Sequence, residues 1–192
     1  VNPELGVDAG SAMAEVITAL KRKVASWTEE HPLLGRPTVT FGKVEGGLKT
    51  NVVPAHCRLE VDLRILPPMT IPELTSIVQE TAQAAVAAVK GAMVEVRRAN
   101  SDRPPVEADP NSQLVQAIAS AFREVTGKES VKSGFRAYTD AGTVSARTGN
   151  RTSVLFGPGR LAQAHTIDEF VPLEHLRLAE AVLTRTLLLL CS

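Results

Sequence analysis

Between Cys57 and Leu66 the chain alternates strictly. Leu59, Val61, Leu63 and Ile65 fall on one side of an extended backbone, and Arg58, Glu60, Asp62 and Arg64 fall on the other. Side chains of a strand point to opposite faces in turn, so this is a strand with one buried and one wet face. Such a strand needs strand neighbours and a helical layer over its apolar side. Both are offered nearby. Thr38–Val44 is rich in β-formers and is broken by Glu45-Gly46-Gly47, while Pro67-Pro68 stops the strand after Leu66. From Asp8 to Trp27, apolar Met13, Val16, Ile17, Leu20, Val24 and Trp27 recur at helical spacing, and Pro32 forbids continuation. Thr70, with Glu73 three residues on, forms a capping box for a helix running to about Lys90. Ala92–Arg98 reads as a third strand. Residues 1–100 therefore read as an α+β ferredoxin-like unit, βαββαβ, with its first strand missing.

Asn100–Asp109 is polar and Pro-rich and reads as a linker, which places a second domain at residues 101–192. There Asp109 is expected to cap a helix with Pro110 at its first position, carried by Leu114, Val115, Ile118, Phe122 and Val125 and closed by Gly127. Short strands are expected at Glu129–Lys132 and Thr152–Phe156, with a helix ending at Arg147 between them. A last helix, Pro172–Leu190, would bury Leu176, Ala179, Leu183, Leu187 and Leu190. Helices alternating with short apolar strands suggest an α/β layer.

Charge excludes some functions. Lys plus Arg and Asp plus Glu are 21 each, so no basic excess exists to displace counterions from a nucleic acid. No apolar run is long enough to span a bilayer. Cys57 and Cys191 make neither a disulfide framework nor a zinc-knuckle spacing, which suits a reducing, cytoplasmic setting. There is no Gly-x-Ser-x-Gly elbow, and neither cysteine has an evident histidine partner, which argues against a serine or cysteine hydrolase. The chain begins at Val1 within a turn-like Asn2-Pro3-Glu4, and reads as a fragment or a processed chain.

The segment richest in chemistry is Phe156-Gly-Pro-Gly-Arg-Leu-Ala-Gln-Ala-His165-Thr-Ile-Asp-Glu-Phe170. A loop leaving the end of a buried strand in an α/β layer is where ligands bind. His165, with Thr166, Asp168 and Glu169 behind it, offers an imidazole and acceptors that could fix its tautomer. From these residues alone it reads first as a loop histidine hydrogen-bonded to Asp168, because one His cannot hold zinc by itself.

Five segments, in order, resemble the M20 metal-dependent deacylases and peptidases. Gly157-Pro158-Gly159, Ala164-His165-Thr166 and Asp168-Glu169-Phe170-Val171 resemble that family's C-terminal signature. Tyr138-Thr139-Asp140-Ala141 resembles its Thr-Asp-Ala segment. Asn51-Val52-Val53-Pro54 and Asp62-Leu63-Arg64 resemble its lid turn and lid strand, and Asn2–Ala9 the piece just after its lid histidine. The resemblance covers nearly the whole chain and leans towards acetylornithine deacetylase and succinyl-diaminopimelate desuccinylase.

What the resemblance implies is a zinc-dependent amidohydrolase acting on an N-acyl amino acid or small peptide, with two zinc ions per subunit (cobalt or manganese being alternatives). It implies a homodimer formed through the lid domain, followed by part of a zinc-exopeptidase-type catalytic domain. His165 would be a metal ligand. Arg64 and Asn51 would bind the substrate carboxylate or oxyanion, and Thr139, Asp140 and Gly157 would shape the substrate pocket. Arg64 could instead be a strand arginine that is solvated or paired with a neighbour, Asn51 a turn residue in the left-handed region, and Asp140 a helix N-cap. The family's other metal ligands and its catalytic acid/base lie upstream of the lid and have no counterpart here, so this chain alone is expected to be inactive. The rival class is a non-enzymatic α+β dimerisation module, which has no use for the His165 loop.

Overall fold

A computed structural model of the chain describes residues 6–99 and 103–191. The turn at Asn2–Leu5, its share of the family resemblance, and residues 100–102 of the linker lie outside the described residues. The chain forms two compact units, Val1–Pro105 with Gly134–Tyr138, and Val106–Ser133 with Thr139–Ser192.

In the first unit the order is α1 (Ala9–Ala25), β1 (Thr38–Gly46), β2 (Cys57–Arg64) and α2 (Ile71–Val86). Asp8 caps α1 by accepting the Gly10 and Ser11 N–H groups. The Thr70–Glu73 capping box opens α2 as expected: the Thr70 N–H donates to Glu73 Oε2 at 3.0 Å, and the Glu73 N–H returns to Thr70 Oγ1 at 3.4 Å. β1 and β2 pair antiparallel, from Thr38 opposite Arg64 to Gly46 opposite Cys57, with a bulge between Phe41 and Lys43. The extra residue, Gly42, shifts the alternation by one, so Val39, Phe41 and Val44 pair with Leu63, Val61 and Leu59.

The apolar strand face lies against α1 and α2. Ala12, Val16 and Leu20 of α1 and Ala82 and Val86 of α2 are buried together, with Phe41, Leu59 and Val78 packed against them. Alanines at the helix contact let the two backbones approach closely. α2 ends at Val86 rather than near Lys90, because i→i+3 bonds such as Val89 N–H to Val86 O replace the α-helical ladder. The expected strand Ala92–Arg98 has no ladder among the described residues. Ala92, Val94 and Val96 do pack on the core; the alternation is real, and no strand pairs with it among the described residues. The observed sheet is thus two-stranded with helices on one face.

The second unit holds α3 (Gln113–Thr126), α4 (Asp140–Thr148), a 3₁₀ turn at Leu161–Gln163 and α5 (Leu173–Cys191). Asp109 does not cap α3. It closes an Asx-turn on the Asn111 N–H at 2.8 Å, and Ser112 is the N-cap residue. Glu129–Lys132 and Thr152–Phe156 are not strands. Val131 and Leu155 are exposed, and no neighbouring strand pairs with either segment among the described residues. α5 also turns a different face inward. Ala179, Val182 and Thr186 are buried, whereas Leu176, Leu183 and Leu187 are exposed. The inward face of α3 is Ala117 and Ala121, so two helices with small contact residues pack close together and leave the leucines outside. Among the described residues no helix is long and apolar enough to cross a membrane.

Candidate functional site

β2 delivers Asp62 and Arg64 to the same strand face, two residues apart. At its Cys57 end this face carries the exposed Arg58 and Glu60. At the Arg64 end it is half covered by the returning segment Gly134–Tyr138. That segment is seated by close backbone approach to the loop before β1. A Cβ on Gly134 would lie 2.5 Å from the Leu33 carbonyl oxygen, so only glycine fits there. The Arg136 guanidinium then donates to the Leu34 carbonyl.

The result is a closed set of contacts around Arg64. Its Nε donates to Asp62 Oδ2 at 2.9 Å and its Nη2 lies 2.7 Å from the same oxygen. Its Cζ sits 4.1 Å from the centre of the Tyr138 ring, within cation–π range. The Tyr138 hydroxyl donates to the other Asp62 oxygen, Oδ1, at 3.2 Å. Arg103 brings a second guanidinium to the ring, 5.1 Å from its centre. Asp62 therefore occupies one edge of the Arg64 fork and the phenol ring lies against it. The side chain remains 40% exposed, which leaves donors for an incoming group.

Tyr138 reports on this cluster. Burial first, then the Asp62 charge and hydrogen bond, push its phenol above the ordinary 10.0, against the opposing pull of Arg64 and Arg103. An acid whose folded pKa is raised favours the fold in its neutral form. Its contribution is full below pH 10 and is lost as pH rises through the folded value. Tyr138 is the single tyrosine, so absorbance at 295 nm follows it alone. The titration midpoint is expected above 10, to fall in Asp62→Asn and to rise further in Arg64→Ala. An unshifted midpoint in both variants would contradict the cluster.

Asn51 lies in the exposed turn between β1 and β2, closed by the Val52 N–H to Lys49 O bond of 3.2 Å. The same loop is pinned to the start of α1, where the Ala9 N–H donates to Pro54 O at 2.9 Å. Asn51 does not take the left-handed conformation; Gly47 does, at φ 78°. In the second unit, Thr139 is the N-cap residue of α4 and Asp140 its first helical residue, so Asp140 is not the cap. Gly157 is open on the side a Cβ would take.

His165 is exposed and has φ 62°; among the described residues it is the one non-glycine with positive φ. That conformation costs a β-carbon residue about 1 kcal/mol or more. Its backbone N–H donates to Glu169 Oε2 at 2.9 Å, and Thr166 Oγ1 donates to Gln163 O at 2.8 Å. The acceptor behind His165 is thus Glu169 holding the backbone, not Asp168 holding the ring. Gly159, at φ 93°, packs close to Val171 across this loop. Among the described residues no three His, Cys, Asp or Glu side chains gather as a metal-holding group. One exposed imidazole does not make a zinc centre, which needs three or four donors.

The sequence pointed to Arg64 and to a neighbour as its partner, but not to the aromatic and second guanidinium beside it. Asp62 was legible as the i–2 neighbour on one strand face. Tyr138 and Arg103 were not, because only the return of Gly134–Tyr138 brings the ring to β2, where Arg103 meets it.

The family model for peptidase family M20/M25/M40 matches residues 4–189. The chain belongs to this peptidase family. An acetylornithine deacetylase from Proteus mirabilis is 28% identical over 174 residues, covering 88% of this chain and 42% of the relative. One from Myxococcus xanthus is 30% identical over 157 residues, covering 81% and 38%. The M20 chain thus spans about two-fifths of the length of these curated relatives. Among solved structures, an M20 family metallo-carboxypeptidase from Sulfolobus solfataricus superposes with a TM-score of 0.56 at 18% identity, over 92% of this chain and 43% of that one. A di-peptidase from Saccharomyces cerevisiae gives 0.57 at 20%, over 81% and 34%. At these identities the structures show a shared fold.

Proposed function

We propose that this chain is the lid and C-terminal catalytic portion of a metal-dependent amidohydrolase that cleaves the amide bond of an N-acyl amino acid or a small peptide. Arg64 is assigned to the substrate carboxylate. The observation that carries this reading is the Arg64 side chain itself: one edge is fixed by Asp62, the ring of Tyr138 lies against it, and it is still partly open to solvent. A guanidinium fixed in this way can donate two parallel bonds to a planar carboxylate with little further ordering.

The remaining assignments rest on the resemblance of the motifs to those of the family. His165 is proposed as a ligand of one of two divalent ions, zinc in the first instance. The other donors come from outside this chain's described residues, so the chain alone is inactive. Asn51 contributes an amide donor from the β1–β2 turn, while Thr139, Asp140 and Gly157 belong to the pocket wall. The first unit is proposed as a ferredoxin-like lid that carries a homodimer contact, and the enzyme as cytoplasmic.

In the whole enzyme, Arg64→Ala is expected to lower kcat/KM by about 30-fold or more for N-acetyl amino acids with a free α-carboxylate, as loss of a charge-assisted bidentate contact does. Carboxamide analogues should change by less than about threefold. Equal losses on both substrate types would remove Arg64 from carboxylate recognition.

A further inference from the structure

The contacts of Arg64 raise a charge problem. Asp62 lies 2.7 Å from Arg64 Nη2, so this pair is close to neutral and a poor trap for an anion by itself. Arg103 changes the balance. It lies over the same Tyr138 ring as Arg64, at 5.1 Å against 4.1 Å, and is exposed. Two guanidinium groups and one carboxylate leave a single net positive charge. We propose that Arg103 is a specificity-determining residue of the Arg64 site, whose charge tunes it to one carboxylate, with Tyr138 as the positioning residue that holds both guanidinium groups. This rests on the reading of Arg64 as the carboxylate-binding group and adds to it what makes that group effective beside Asp62.

The geometry gives each member a distinct part. Asp62 fixes the direction of the Arg64 fork through Nε and Nη2. Tyr138 fixes Asp62 through its hydroxyl, and its ring face attracts both cations. Arg103 needs only to keep a positive charge at the Tyr138 ring that Arg64 also contacts. Its effect should therefore survive replacement by lysine and be lost with a neutral side chain.

The test uses the 192-residue chain with its single tyrosine as reporter. Acetate is titrated at constant ionic strength against chloride, and the ring-proton NMR signals of labelled Tyr138 are followed. The wild-type signals are expected to shift saturably. Arg103→Gln should weaken acetate binding about fivefold or more, since it removes a neighbouring charge in a partly desolvated site, and Arg103→Lys should stay within about twofold of wild type. Arg64→Gln should abolish the shift. If Arg103→Gln binds like wild type while Arg64→Gln does not bind, the role of Arg103 is overturned and the reading of Arg64 stands. A lysine variant as weak as the glutamine variant would likewise overturn a role through charge. If Arg64→Gln still binds, or the wild-type chain shows no saturable shift, the reading of Arg64 itself fails and the inference falls with it.

Discussion

In the whole enzyme, His165→Ala is expected to reduce kcat/KM by at least about 100-fold while leaving the thermal midpoint of the metal-stripped protein within about 2 °C of metal-stripped wild type. The two halves of this expectation come from different observations. The imidazole is exposed, so its removal leaves no cavity. The backbone, by contrast, is held in a left-handed conformation, anchored by the bond to Glu169 and followed by a second turn bond from Thr166. A loop that keeps a non-glycine residue at φ 62° over-determines where that side chain emerges, a pattern that marks functional positions. Glycine or asparagine would adopt this conformation at lower cost, so a histidine there suggests that the imidazole is what the position needs. Steady-state kinetics on the metal-loaded enzymes and melting curves after metal removal check both halves. Activity within threefold of wild type would contradict the assignment.

Val182→Asp is expected to unfold the second unit. Val182 is fully buried on the face of α5 that packs on α3, among Ala117, Ala121 and Ala179. The helices are drawn together there by small side chains, so no water can follow a carboxylate inward. Thr186, the buried polar neighbour one turn on, already spends its hydroxyl on the Val182 carbonyl at 2.8 Å. An unpaired charge in such a place destabilises by more than about 3 kcal/mol, enough to lower the midpoint of a unit this size by more than about 10 °C. Circular dichroism at 222 nm measures it. A Leu187→Asp control should change the midpoint little, because Leu187 is 62% exposed. If Val182→Asp melted like wild type, the assigned inner face of α5 would be wrong.

These two helix faces show where the sequence was legible and where it was not. α1, α2 and the β1–β2 hairpin could be read directly, because each buries a continuous stripe against partners close in the chain. The capping box at Thr70 and the alternation from Leu59 to Ile65 are local signals with local consequences. α5 misled because its leucines look like the core while its alanines and valine make the contact. Ala92–Arg98 was recognisable by alternation, but a ladder depends on a second strand, which periodicity does not supply. Glu129–Lys132, with Val131 its one apolar residue, and Thr152–Phe156 had less still: a short run without a paired neighbour is not a strand. At the site, Arg64 and His165 came from family resemblance to short motifs. The Tyr138 ring beside Arg64 depended on a return of the chain about 70 residues later, seated by Gly134 against Leu33, and no spacing rule reaches that far.

His165, as proposed, supplies one ligand to a metal centre that residues outside this chain would complete. The most direct measurement is the metal-to-protein ratio of the whole enzyme by elemental analysis after exhaustive dialysis, wild type beside His165→Ala. The variant is expected to lose one equivalent of divalent metal per subunit. An unchanged ratio in a folded variant would contradict it.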